Sequence, residues 1–203
     1  MSLLDLPVYG LLDRLASPDP TPGGGSAAAL AGATGGALVA MVCATPKTRS
    51  GDPAERARLD SALKETEEAS ARLRSLVDED KAAYDGVMAA YRLPKGTESE
   101  KASRKEAIAA ALVGATDVPL TTANECLRVL RAAEEAAAAG NPNMLSDART
   151  GAALALAGLL GAAENVRINA PGESEAVRRA RTMVEDGLKR ALAVGLPGMR
   201  SNS

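Results

Sequence analysis

The stretch "SLVDEDKAAYDGVMAAY" contains the residue with the most to explain. Leu73, Val77, Asp80, Tyr84, Val87 and Tyr91 recur at intervals of three and four. On a helix this puts Asp80 in the middle of an apolar and aromatic stripe. A carboxylate there is buried or half-buried, and must be paired, hydrogen-bonded or shifted in pKa. One reading is a general base or charge stabiliser in a ligand site, with Tyr84 one turn on offering a flat surface and a hydroxyl. The other is an aspartate that pairs with a core arginine or caps a neighbouring helix, with Tyr84 a core aromatic.

Two glycine-containing loops are the other candidates. "SPDPTPGGGSAA" runs three consecutive glycines, Gly23, Gly24 and Gly25, into Ser26 and a helix. The first free N–H groups of that helix form a site for an anion or polar ligand; alternatively the glycines serve only a turn and close packing. The G-x-G-x-x-A match within it is no dinucleotide fingerprint, because a helix and a proline loop precede it where a strand is needed. No Gly-Lys-Ser/Thr follows, which excludes a P-loop. The second loop, "GNPNMLSD", supplies Asn141, Asn143, Ser146 and Asp147, residues suited to turns and caps as well as to ligands. Asn165 lies five turns further along the same expected helix, about 27 Å away. Asp147 and Asn165 of one chain therefore serve opposite ends of a long ligand, or sites shared across a dimer.

The chain has no histidine, so acid–base work falls to Asp, Glu, Lys or Tyr. This excludes a Ser-His-Asp triad and a His-bound zinc. Cys43 and Cys126 lack metal-ligand spacing and sit in apolar or amphipathic helical surroundings, which reads as reduced core thiols in a cytoplasmic protein.

The elements that must position these groups all read as helices. Leu3 to Leu15 is a short amphipathic helix, stopped at Ser17-Pro18, and an Ala/Gly helix follows the glycine loop to about Ala44. Asp52, Pro53 and Glu55 form a helix start with a capping box, and no breaker but Gly86 appears before Tyr91. Thr97 and Glu100 start another helix, which Pro119 kinks or ends. A further helix runs to Gly140, a second Ala/Gly-rich one follows "GNPNMLSD", and an amphipathic helix spans about Glu173 to Val194. The expectation is an all-α bundle of about seven helices forming a single domain over residues 1–203. Its core lacks Trp and Phe, so small side chains must bring helices close together. Two nearly uncharged helices are hard to bury in one small domain, which predicts a homodimer.

The net charge of -2 with dispersed Lys and Arg leaves no footprint for nucleic acid. Residues 20–46 carry no charge, yet Ala and Gly make the run only weakly apolar, and Gly32 with Gly36 suits soluble helix packing equally well. No membrane span is expected. No signal peptide is expected either, since Asp5, Asp13 and Asp19 stand where a basic segment would.

Five stretches in order, "SPDPTPGGGSAAALAGATGGALVAMVC", "DEDKAAYDGVMAAYRLPKGTESEKASRKEAI", "ATDVPL", "GNPNMLSDA" and "NVRIN", resemble the cyclodeaminase/cyclohydrolase family of folate one-carbon enzymes across about residues 1–190. The resemblance implies an all-helical homodimer acting on a tetrahydrofolate derivative, with no metal and no cofactor beyond that substrate. Cyclohydrolase members add water to the 5,10-methenyl bridge and release 10-formyltetrahydrofolate. Cyclodeaminase members expel ammonia from the 5-formimino compound to close the same bridge. The stretches "DEDKAAYDGVMAAYRLPK" and "ATDVPL" are more similar to the cyclohydrolases. A non-catalytic folate-binding or helical interaction dimer is the alternative of another class.

On this resemblance Asp80 is the first candidate for the carboxylate beside the cationic bridge and Asp147 the second. Lys95, in "LPKG", is a candidate to protonate the departing nitrogen or hold a folate carboxylate. Pro22, Gly23, Gly24, Gly25, Ser26, Tyr84, Asn143, Ser146, Asn165 and Asn169 are the expected substrate-binding residues. Two departures from the family's pattern stand out: Arg149 after the Ser-Asp pair, and the loop "TPKTRSGD".

Overall fold

A computed structural model describes residues 2–196; Met1 and the end of the expected domain, 197–203, lie outside the described residues. Among the described residues the architecture is all-helical. It comprises α1 (Val8–Ala16), α2 (Gly24–Ala44), α3 (Pro53–Tyr91), α4 (Glu98–Ala139), α5 (Leu145–Asn169) and α6 (Glu175–Val194), with 3-10 turns at Leu3–Asp5 and Pro142–Met144. Six α-helices thus stand where about seven were expected.

The difference is Pro119, which does not end its helix: α4 continues through it. A proline in a helix interior withholds the N–H that should reach the carbonyl four residues back, here Ala115. That carbonyl is taken up from outside the helix, where the Asn169 side-chain Nδ2–H donates to it at 2.6 Å. With the orphan acceptor satisfied and α4 packed along α3 and α5, tertiary contacts outweigh the local break.

α2 and α5 form an antiparallel pair at the centre. They come close because both surfaces are made of small residues: a Cβ on Gly151 would lie 2.8 Å from the Gly35 carbonyl oxygen, and one on Gly158 2.7 Å from that of Ala28. Both helices are long and apolar enough to cross a membrane by length and composition alone. In the fold they are core helices, α2 against α3, α4 and α5, and α5 against α2, α4 and α6. Leu59, Leu73, Leu76, Leu130, Leu159, Val39 and Val42 fill the remaining space, a close-packed interior without a large aromatic side chain. Cys43 and Cys126 are buried and free. Burial pushes their thiols up to about 11 and about 12, which keeps them protonated and unreactive.

Helix ends follow local chemistry with one correction. Thr97 and Glu100 make the expected capping box. Asp52 caps α3 through the Ala54 N–H at 2.8 Å, but Glu55 accepts the Ser50 N–H at 2.8 Å and does not close a box with Asp52. The "TPKTRSGD" loop and the first turn of α3 serve the carbonyl ends of two helices. Arg49 donates to Ala138 at 2.6 Å and Ala137 at 2.7 Å at the end of α4; Arg56 donates to Thr45 at 2.9 Å at the end of α2. Arg149 donates to the Val194 carbonyl at 3.2 Å and so closes α6.

Candidate active site

Gly23, the N-cap of α2, has no side chain with which to accept the helix's first N–H groups. The acceptor comes from α3. Asp80 lies across this helix end: its Oδ2 accepts from the Ser26 hydroxyl at 2.9 Å, and the Ser26 backbone N–H also bonds to the carboxylate. The glycine run follows from this arrangement at one position. A Cβ on Gly25 would lie 2.8 Å from Asp80 Oδ2 and nearer still to Oδ1. Gly24, by contrast, has room, since a Cβ there would meet only Asn165 Nδ2 at 3.5 Å.

The two readings of Asp80 therefore coexist. It caps a neighbouring helix, and it also lines a cavity of about 230 Å³ together with Gly23, Gly24, Gly25, Tyr84, Asn165 and Asn169. Burial raises the Asp80 carboxyl above its ordinary value, and the two bonds from Ser26 oppose that rise. A raised carboxyl pKa facing a cavity is the state in which an aspartate works as a base near neutral pH.

The two asparagines set the polarity of the rest. Asn165 Nδ2 donates to the Gly161 carbonyl at 2.8 Å, and Asn169 Nδ2 to that of Ala115 at 2.6 Å. Both amide nitrogens are thus committed to backbone carbonyls, which fixes the orientation of each amide. Among the described residues no group donates to either Oδ1, and no lysine or arginine lines the cavity. A carboxylate and two amide oxygens with no cation of the protein's own make an electron-rich site suited to a positively charged ligand. The cavity adjoins a wider apolar groove of about 640 Å³, with which it shares Leu112 and Asn169.

Of the residues singled out in the sequence, Pro22 is buried in the turn before α2 and Ser26 is buried behind Asp80. Lys95 is exposed in the α3–α4 connection, outside the cavity lining. Tyr91, where α3 ends, is already about 16 Å along the axis from Asp80. Lys95→Ala is accordingly expected to leave kcat within about twofold of wild type, since an exposed lysine outside the site contributes little; a steady-state assay checks this, and a loss of tenfold or more would restore its catalytic role. Asn143, Ser146 and Asp147 gather at the opposite end of α5. Asn143 and Ser146 are exposed there, and the Asn143 N–H donates to Asn141 Oδ1 at 3.1 Å. The separation of about 27 Å between Asp147 and Asn165 holds, because α5 is one unbroken helix. Sequence reasoning missed Leu112 and Ala115, which line the cavity from α4; apolar residues inside a long helix carry no signal of their own.

Comparison with known proteins places these features in context. The family model described as formiminotransferase-cyclodeaminase matches residues 7–194. A methenyltetrahydrofolate cyclohydrolase from Methylorubrum extorquens is 44% identical over 88% of this chain and 83% of its own length. A formimidoyltransferase-cyclodeaminase from Mus musculus is 35% identical over 89% of this chain, which spans only 34% of that protein. The crystal structure of formiminotetrahydrofolate cyclodeaminase from Thermotoga maritima superposes with a TM-score of 0.73 at 26% identity, covering 95% of this chain and 92% of that one.

Proposed function

The chain belongs to the formiminotransferase-cyclodeaminase family, and we propose that it is a methenyltetrahydrofolate cyclohydrolase, converting 5,10-methenyltetrahydrofolate and water to 10-formyltetrahydrofolate. The observation that carries this reading is the electron-rich cavity around Asp80. The methenyl carbon bridges two nitrogens as a cation, and a carboxylate with two amide oxygens stabilises that charge. The identity to the cyclohydrolase from Methylorubrum extorquens, over most of both chains, supports the same reaction.

Water attacks the bridge carbon while Asp80 takes one of its protons. The resulting tetrahedral carbon carries a hydroxyl between N5 and N10. Collapse forms the formyl C=O, breaks the bond to N5 and leaves a proton on that nitrogen. Overall the cation and one water yield the neutral formyl compound and one released proton. The chain's own contribution is the base, the acceptors around the bridge, and Tyr84 as a flat wall; no group beyond the substrate is invoked.

The second reading, cyclodeamination, is favoured by the fold shared with the Thermotoga maritima enzyme. It would use the same cavity, since that reaction also passes through a tetrahedral carbon between two nitrogens. Mass spectrometry of the products decides between them. Formation of 10-formyltetrahydrofolate from the methenyl compound is expected, and ammonia release from the 5-formimino compound without any hydrolysis would replace the first reading with the second.

The working unit in this reading is a homodimer of single-domain subunits in the cytoplasm. Thr34, Ala37 and Met41 of α2 and Ala153, Ala157 and Leu160 of α5 are exposed and uncharged. They lie between the two ends at which the candidate residues gather. A two-fold axis near Ala157, midway between Asp147 and Asn165, would carry Asp147 of the partner subunit toward this chain's Asp80 cavity and supply a second carboxylate to the cationic bridge. Ala157→Glu is then expected to give a folded monomer in sedimentation velocity, with kcat lowered at least about tenfold. A dimer that persists in the variant would move the interface elsewhere.

A further inference from the structure

Pro119 is out of place in a 42-residue helix, and what it does there is specific. The backbone group it deprives of a donor is the Ala115 carbonyl. Ala115 lines the Asp80 cavity, and the group that replaces the missing N–H is the side chain of Asn169, which lines it too. We propose that Pro119 is a positioning residue of this site: by leaving the Ala115 carbonyl open, it fixes the Asn169 amide with Nδ2 on the backbone and Oδ1 as its free polar atom.

A primary amide presents either an acceptor or a pair of donors, according to which end is held. Beside a cationic bridge only the acceptor is useful; the NH₂ end would bring partial positive charge against it. Asn165, one turn earlier on α5, is held in the same sense by the Gly161 carbonyl in its own helix. Asn169 has no such bond within α5 and takes its anchor from α4. Restoring a backbone N–H at position 119 would let α4 satisfy Ala115 internally and free the Asn169 amide to turn. Asn169 is then the group beside the substrate, and Pro119 acts only through it. The identity of that substrate rests on the function proposed above.

The test is a double-mutant cycle on kcat/KM for 5,10-methenyltetrahydrofolate with Pro119→Ala, Asn169→Ala and the pair. Each single substitution is expected to lower kcat/KM roughly tenfold, the scale of one lost hydrogen bond to a charged group. The pair should be no worse than Asn169→Ala alone, and Pro119→Ala should melt at or above the wild-type temperature. Losses that multiply, or a Pro119→Ala variant at wild-type kcat/KM, would overturn the proposal. The wild-type rate reads the proposed function by itself. If it is absent, exchange of the Asn169 side-chain amide protons, measured in ¹⁵N-labelled protein and assigned by their loss in Asn169→Ala, still decides the positioning role. Protection in the wild type and loss of it in Pro119→Ala supports the proposal, and equal exchange in the two overturns it.

Discussion

Asp80→Asn is expected to lower kcat by at least about a hundredfold, the usual scale for removing a general base, while raising the melting temperature. Asparagine can still accept the Ser26 bonds that close the start of α2, but it cannot take a proton from water. The stability gain comes from the charge it removes. Burial raises the Asp80 carboxyl above its ordinary value of 3.8, so between that value and the folded one the native protein binds more protons than the unfolded chain. Native stability therefore falls as pH rises through this window. The variant does not share that loss. Its advantage should be absent below about pH 3.8 and fully present above the folded pKa, where thermal melts of the two proteins separate most. Activity runs the opposite way in the wild type: the base must be ionised, so kcat/KM should fall on the acid side at a pH above the ordinary aspartate range. An Asp80→Asn variant with unchanged turnover would remove this residue from the mechanism, and one less stable than wild type at pH 8 would contradict the burial argument.

Gly25→Ala is expected to have nearly as large an effect on activity as the loss of Asp80, although it adds one methyl group. That methyl would occupy the space of the carboxylate, so Asp80 must swing away or α2 must shift. Either response breaks the cap on α2, at about 0.5–2 kcal/mol, and overpacking adds about 1–3 kcal/mol. For a chain of this size each kcal/mol lowers the melting temperature by roughly 2–4 °C. Gly24→Ala is the control for the cap, because its new methyl meets one ordinary contact and does not touch Asp80; it should melt within about 2 °C of wild type. The comparison separates glycine as a general loosener of the loop from glycine as the one residue that fits beneath a carboxylate. Equal losses in the two variants would favour general looseness.

The same contrast shows which features were legible in the sequence. Asp80 could be found because three- and four-residue spacing on a helix is unambiguous and a carboxylate in an apolar stripe is costly without a purpose. The glycine loop could be found by composition, but which of its three glycines was constrained could not, since the constraint comes from a residue more than fifty positions later in α3. Pro119 is legible only in part, for a related reason. Its local rule predicts a kink or an end, and the Asn169 amide that lets the helix continue arrives from another helix at the far end of α5. Lys95 shows the reverse limit: a loop lysine near a motif has the right chemistry, but its distance from the cavity lining is set by the length of α3 and has no local sign. The fold class followed from helical periodicity and caps, whereas the tertiary hydrogen bonds that shape the site had no local signature.

The most direct test of the account is the loss of the methenyl chromophore when the purified protein is mixed with 5,10-methenyltetrahydrofolate, with spontaneous hydrolysis in buffer subtracted, for wild type and Asp80→Asn side by side. The account predicts acceleration by the wild type and near-complete loss of that acceleration in the variant. A wild-type rate no faster than buffer, or a variant as fast as wild type, would contradict it.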